Sequence, residues 1–332
     1  MRIGVIGVGR IGQFHADYLR GHKDVTALVL TDADPGRVRE VSDRLGASFV
    51  TTAEELIDSV DAVVITSPTS THADLLHKVV DAKKPTFCEK PIALDLQATR
   101  SVVRHVQDSG ATVQIGFQRR FDFGYKAARK AVVDGSLGRV YLARMASHDP
   151  YPPHEDYLPG SGGIFRDMHI HDYDVVSWVL GQEIVEVYAK GAVLVDPMFS
   201  RNNDFDTVAA MLTFSDGTLG VLTGARHDPV GHDVRLELFG SGNSIVAGWD
   251  ERTPMISLQP NSKTHVEKPY TLFLDRFADA YRSELDAFVD LVCGRAENPC
   301  GVEAAEKALT AAIACEMSRK ENRPVSLSEV GS

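Results

Sequence analysis

Cysteine is scarce in this chain: Cys88, Cys293, Cys300 and Cys315 are the only four in 332 residues, and no two form a C-x-x-C pair. That excludes a disulfide scaffold and the common zinc ribbons. Positive charge is in deficit as well, with 35 Lys and Arg against 46 Asp and Glu, for a net charge of −11. A nucleic-acid binder needs a basic stripe to neutralise phosphates, and none is present. Long apolar runs are missing too; nothing approaches the roughly 18 residues of a membrane span. No cleavable leader is legible, because Met1-Arg2 runs straight into Ile3-Gly4-Val5-Ile6-Gly7. These absences lead us to expect a soluble, reduced, cytoplasmic protein that touches neither nucleic acid nor membrane. The 43% hydrophobic and 24% charged content is that of an ordinary globular chain, so disorder and collagen-like repeats are excluded. The length suggests two domains, on a prior of about 100–200 residues each.

The first 118 residues alternate short β-branched runs with amphipathic stretches. Strands are expected at Ile3–Ile6, Val25–Thr31, Ser48–Thr51, Ala62–Thr66, Thr86–Cys88 and Thr112–Ile115, with helices between them. Unbroken apolar strands alternating with helices indicate a parallel sheet covered on both faces. After residue 120 the pattern changes. A helix is expected at Tyr125–Val133 and a strand at Val140–Ala146, then a loop rich in proline and glycine over Ser147–Gly163. One helix is then expected over Met168–Leu180. Strands at Ile184–Ala192, Thr207–Phe214, Thr218–Gly224, Asp233–Phe239 and Ser244–Val246 follow without helices, which implies an open, mostly antiparallel sheet. Ser215-Asp216-Gly217 reads as a hairpin turn, and helices near Arg276–Val292 and Val302–Glu316 close the chain. The fold class is therefore α/β with a doubly wound parallel sheet (1–118), followed by an α+β domain with a large open sheet (119–332).

Gly7-Val8-Gly9-Arg10-Ile11-Gly12 fits G-x-G-x-x-G between a strand and a helix. Its glycines permit a tight turn, close approach to a pyrophosphate and close strand–helix packing. The helix then presents its N–H groups and positive dipole end to the phosphates. Asp32, 20 residues after Gly12, ends the second strand, where a carboxylate accepts the ribose hydroxyls of NAD. It repels a 2′-phosphate, and the following Ala33 cannot hold one, so NAD is favoured over NADP. Arg37 is either an adenine-stacking residue or a plain surface arginine. The competing reading of the loop, a glycine-rich turn that binds nothing, is disfavoured by this context.

Cys88-Glu89-Lys90-Pro91 follows a strand end, and in parallel sheets those ends line the ligand crevice. Lys90 is there either beside a nicotinamide or merely solvated, as Lys83 and Lys84 would be. In Asp167-Met168-His169-Ile170-His171-Asp172, helical spacing puts Asp167 and His171 on one face, with His169 and His171 pointing apart. The two histidines therefore make a poor metal grip, and no metal is expected. An aligned carboxylate and imidazole suit a general base, although such a pair is also a common capping or surface contact.

Taken together, the Gly7–Gly12 loop, Glu89-Lys90-Pro91, Gln118-Arg119-Arg120-Phe121-Asp122 and Gly162-Gly163 followed by Asp167-x-x-x-His171-Asp172 resemble the glucose–fructose oxidoreductase/inositol dehydrogenase (Gfo/Idh/MocA) family. Within it the likeness is greatest to bacterial inositol 2-dehydrogenases, and it spans almost the whole chain. The resemblance implies a Rossmann domain, a C-terminal domain with an open sheet, and NAD-linked hydride transfer at a ring carbon. It also implies a homodimer or homotetramer through that sheet, whose exposure would otherwise invite aggregation. By the same resemblance Lys90 lies close to the nicotinamide and the reacting hydroxyl, His171 removes the hydroxyl proton, and Asp167 holds His171. Arg119 borders the substrate, while Thr66, Ser67, Pro68 and His72 line the cofactor together with Glu89. Ser147-His148-Asp149-Pro150 departs from the His-Arg-Asn-Pro segment familiar in inositol enzymes, and His232 stands where tyrosine is usual. Arg119, His148, Asp149, Tyr151, Asp156 and His232 are the polar groups available to an oxygen-rich substrate. The expected activity is oxidation of a secondary hydroxyl on a cyclic polyol or sugar, with inositol the leading candidate. The alternatives are a related dehydrogenase or reductase for a pyranose, anhydrosugar or glucoside, and an NAD-binding regulator without turnover.

Overall fold

Short apolar strands that are buried along nearly their whole length set the first layer. In the computed structural model, which describes residues 1–262 and 265–331, β1 (Arg2–Ile6), β2 (Ala27–Thr31), β3 (Ser48–Phe49), β4 (Ala62–Ile65), β5 (Thr86–Glu89) and β6 (Val113–Gly116) form one parallel sheet. Its order is β3-β2-β1-β4-β5-β6. Ile3, Val5, Val63, Val64, Phe87 and Ile115 are fully buried, as strands covered on both faces require. The crossovers are α1 (Arg10–Gly21), α2 (Pro35–Leu45), α3 (Ala53–Ser59), α4 (His72–Asp81) and α5 (Leu96–Ser109). Local chemistry fixes several of their ends. Asp34 caps α2 by accepting from the Gly36 and Arg37 amides, and Gly46 stops it in the left-handed region at φ 61°. The strand order reverses between β1 and β4, the switch point at which ligands bind such sheets.

The second sheet is built from β7 (Val140–His148), β8 (Ile184–Ala192), β9 (Thr207–Phe214), β10 (Leu219–Ala225), β11 (Asp233–Gly240), β12 (Ser244–Ala247) and β13 (Val325–Ser326). Their order is β12-β11-β7-β10-β9-β8-β13, antiparallel throughout except for the parallel β7–β10 pair. β9 and β10 are joined at Ser215-Asp216-Gly217, and Gly217 has φ +88°, which suits glycine. One face of the sheet is covered by helices that include α6 (Phe123–Val133) and α9 (Ile170–Leu180).

Two local expectations change, and one strand is added. The stretch expected as a loop before residue 164 contains the short helix α7 (Leu158–Ser161). The single helix expected over Met168–Leu180 is instead α8 (Ile164–Asp167), a turn at Met168 and His169, and then α9. The Met168 and His169 amides both reach back to the Ile164 carbonyl, which breaks the regular ladder. Strand β13 carried no readable pattern, being two residues long.

The chain divides into two compact units: Met1–Gln118 with Tyr281–Glu306, and Arg119–Ala280 with Lys307–Ser332. The expected second domain, 119–332, is therefore interrupted. The remaining helices, α10 (Met198–Arg201), α11 (Phe273–Val292) and α12 (Val302–Glu321), include two that cross this division. The cause is apolar: Leu285, Phe288 and Val289 share one buried cluster with Ile3, Val5, Leu30 and Phe87.

Candidate active site

The glycine turn after β1 is shaped by close packing. Gly7 has φ +92°, and a Cβ there would meet the Ser67 backbone at 2.6 Å. A Cβ on Gly12 would meet the Gly7 carbonyl at 2.0 Å and Thr66 Oγ1 at 2.6 Å. Gly9 differs, because a Cβ there meets nothing within 4 Å. No side chain caps the N-terminus of α1 at Gly9. An open backbone beside an uncapped helix start is the cradle a pyrophosphate requires. Asp32, mostly buried at the end of β2, accepts from the Val8 amide at 2.7 Å and the Asp34 amide at 2.9 Å. Arg37 lies 3.2 Å from Asp32 and 3.5 Å from Asp34, so its charge is directed at these carboxylates. Two acids face one guanidinium there, and the local balance stays negative. These residues fit a dinucleotide.

Other residues expected to line the cofactor make bonds that tie the neighbouring loops together. Thr66 donates through Oγ1 to the Gly7 carbonyl at 2.5 Å and so pins the turn. His72 is buried, with ring nitrogens 2.8 Å from the Pro91 carbonyl and 2.7 Å from the Ser67 carbonyl. Burial pushes its pKa down, and its ring is used to tie these two loops together. Ser67 Oγ bonds Thr71, and Pro68 accepts from the Thr71 amide. Glu89, expected to line the cofactor, is bonded to His15 at 2.8 Å through Oε1. Lys90 is half-buried just beyond β5 and precedes the cis-proline Pro91.

In the second unit, the carboxylates expected to face substrate converge on a residue that sequence reasoning missed. Arg226, 4% exposed, donates through Nη2 to Asp167 Oδ2 at 2.8 Å and lies 3.3 Å from Asp149 Oδ2. Burial opposes its charge, but Asp167 and Asp149 hold its pKa above the ordinary arginine value. The second Asp167 oxygen accepts from the Tyr157 hydroxyl at 2.8 Å. His232 Nδ1 lies 3.4 Å from Asp149 Oδ1, and among the described residues its buried ring has no hydrogen-bond partner on either nitrogen. That unsatisfied ring beside an acid suits a hydroxyl-rich ligand. His148 lies 3.9 Å from both Asp228 and Asp233, and burial pushes its pKa down. Tyr151 and Asp156 are exposed on the preceding loop.

The single uninterrupted helix expected to carry both Asp167 and His171 does not form, because the turn at Met168 and His169 separates α8 from α9. Asp167 ends α8, and His171 is half-buried in the first turn of α9. The buried carboxylate–imidazole bond found in this segment is His169 Nδ1 with Asp172 Oδ2, at 2.9 Å. Arg119 and Ser147 bind the same Asp172. Burial works against the Asp172 charge, yet Arg119, His169 and Ser147 hold its pKa below the usual range. Arg119 is 4% exposed, and its guanidinium is used by Asp172 and Ser147. It thus braces Asp172 and Ser147 within the second unit.

Known proteins place this arrangement. Residues 1–117 match the description "Oxidoreductase family, NAD-binding Rossmann fold", and residues 125–246 match the "GFO/IDH/MocA C-terminal domain". The chain belongs to the Gfo/Idh/MocA oxidoreductase family. It is 37% identical to a myo-inositol 2-dehydrogenase of Thermotoga maritima over 333 residues, covering 99% of each chain. It is 36% identical to an inositol 2-dehydrogenase of Rhizobium meliloti, covering 98% of this chain and 99% of the relative. Among solved structures, the scyllo-inositol dehydrogenase of Lactobacillus casei with bound NAD(H) and scyllo-inositol superposes with a TM-score of 0.90 at 28% identity, covering 99% of both chains. The fold of this Gfo/Idh/MocA chain is therefore a Rossmann unit followed by a mixed, mostly antiparallel sheet. Among the described residues, no helix is long and apolar enough to cross a membrane.

Proposed function

We propose that this protein is an NAD-dependent dehydrogenase oxidising a secondary hydroxyl of inositol, at the position its 2-dehydrogenase relatives act on. The observation that carries the reading is the full-length likeness to inositol dehydrogenases, one of them solved with NAD(H) and scyllo-inositol bound. Gly7, Gly9, Arg10, Ile11 and Gly12 would cradle the pyrophosphate, and Asp32 would take the ribose hydroxyls. NAD, when bound, supplies the hydride acceptor. His171 takes the hydroxyl proton, Lys90 steadies the oxygen as negative charge develops, and Asp167 provides a fixed negative charge for the protonated ring. Tyr157 and Arg226 keep Asp167 in place for that task. Asp149 and His232 are the acceptor and donor we assign to the remaining ring hydroxyls. We assign the protein to the cytoplasm as a homodimer or homotetramer. Support for assembly comes from the uncovered sheet face, where Met211 is 54% and Leu219 46% exposed.

A cyclitol and sugar panel with NAD and NADP tests this reading. Inositol with NAD should give the highest kcat/KM, and NAD should exceed NADP by at least tenfold, about 1.4 kcal/mol. Asp32→Ala should narrow that gap. His171→Ala should cost at least about a hundredfold in kcat and remove the acid limb of the pH profile, while NAD affinity barely moves. Lys90→Met should also reduce kcat. Turnover of no cyclitol, with a pyranose used well, would instead favour a sugar dehydrogenase. The departures at His148, Asp149 and His232 make that the second reading.

A further inference from the structure

The first unit contains a buried cluster of titratable groups that the proposed reaction does not use. His15 on α1, Glu89 at the end of β5 and Glu284 on α11 offer one ligand atom each, all within 4.8 Å of one another. His15 and Glu284 are fully buried, and Glu89 is 8% exposed. Their bonding is unequal. His15 Nε2 lies 2.8 Å from Glu89 Oε1, whereas His15 Nδ1 and both Glu284 oxygens have no hydrogen-bond partner among the described residues. Around the imidazole stand aromatic rings: Phe87 at 5.5 Å, Tyr281 at 5.8 Å and Phe14 at 6.1 Å between centroids. Gly116, paired with Glu89 across the β5–β6 ladder, leaves room for the second carboxylate oxygen. A Cβ there would lie 3.2 Å from Glu89 Oε2.

Two carboxylates share this enclosure with a single imidazole. An ionised Glu284 would be a bare charge against aromatic walls, beside a second negative charge on Glu89. Burial, and then the Glu89 charge, push the Glu284 pKa well above the usual carboxyl range. A proton resolves the imbalance, and it also converts an acceptor without partners into a donor facing an acceptor.

We propose that Glu284 is a neutral carboxylic acid whose O–H, together with His15 Nε2–H, binds the Glu89 carboxylate and so positions the Glu89–Lys90 turn. Glu284 and His15 are positioning residues, and Glu89 is the group they grip. The proposal rests on the reading of Lys90 as the residue that steadies the reacting oxygen. His15 serves this arrangement through its Nε2–H, which donates to Glu89 Oε1. The other way to neutralise the same three ligand atoms is a divalent cation, and the experiment separates the two.

Infrared difference spectroscopy of the full chain at neutral pH should show the C=O stretch of a protonated carboxylic acid, and Glu284→Gln should abolish it. Glu284→Gln retains shape and an N–H donor, so its kcat should stay within about threefold of the parent. Glu284→Leu removes the donor, and its kcat should fall at least tenfold while the dissociation constant of NAD moves less than threefold. A missing carboxylic band overturns the proposal, as does equal damage by the glutamine and leucine variants. A stoichiometric divalent cation in purified protein, lost in Glu284→Gln, also overturns it and makes the cluster a metal site. If Glu284→Leu does not fold, the parent and glutamine spectra still decide. Should Lys90→Met keep full activity, the reading of Lys90 fails, whereas the carboxylic band reports on the cluster regardless.

Discussion

Arg226 is the residue on which the second unit's charges depend most. It is 4% exposed and holds Asp167 directly, with Asp149 at 3.3 Å. Removing one member of a buried ion pair strands the other, at a cost of roughly 3–5 kcal/mol. Because Asp167 and Asp149 retain some exposure, Arg226→Met should fall near the lower end of that range, about 3 kcal/mol. Chemical denaturation measures this, and kcat should fall as well because Asp167 loses an anchor. Helical spacing points His169 away from His171, yet the tertiary structure makes it a poor comparison residue. His169 is fully buried, bonds Asp172 at 2.9 Å and packs so closely on Gly224 that a Cβ there would lie 1.9 Å from its Nε2. His169→Ala should therefore destabilise by roughly 2–4 kcal/mol, through a cavity and a stranded carboxylate partner. Its activity loss would report folding rather than chemistry. An exposed histidine such as His154 is the better comparison.

At the scale of elements, the turn between β1 and α1 separates two roles of glycine. Gly12 and Gly9 look equivalent in a G-x-G-x-x-G pattern, but their surroundings differ. A Cβ on Gly12 collides with the Gly7 carbonyl, so Gly12→Ala must displace backbone and should cost about 1–3 kcal/mol of stability. Gly9 has an ordinary φ of −68° and open space around its Cα. Gly9→Ala should change stability by less than about 1 kcal/mol, yet weaken NAD at least tenfold by placing a methyl group in the cradle. Calorimetric titration beside thermal melts distinguishes the two outcomes. A large stability loss in Gly9→Ala would show that the turn is packed from a direction the structure leaves open.

For the molecule as a whole, the seven-stranded sheet leaves one face without helices. The register brings Met211 beside both Val221 and Tyr188, and Leu219 beside Leu142, to make a continuous apolar area. A face of that kind on a lone subunit invites edge or face association. Met211→Glu should therefore shift a dimer or tetramer toward monomer in light scattering, without changing the Rossmann unit's affinity for NAD. An unchanged mass would place any assembly on another surface.

Much of this was legible in the sequence, and the reason is locality. Strand and helix periodicity, the caps and the glycine turn depend on neighbours within a few residues, so the parallel sheet and the Asp32 position could be read directly. Six of the seven strands of the second sheet were legible for the same reason, the two-residue β13 being the exception. Pairing across distance was not. Arg226 reaches Asp149 because β10 runs parallel to β7, with Ala225 opposite His148, a register no local pattern encodes. The return of Tyr281–Glu306 to the first unit rests on Leu285, Phe288 and Val289 joining a core that begins at Ile3. Arg119, Glu89 and His72 read as site-lining residues through the family resemblance. Only tertiary packing supplied the buried partners, Asp172, His15 and two loop carbonyls, that turn each of them inward.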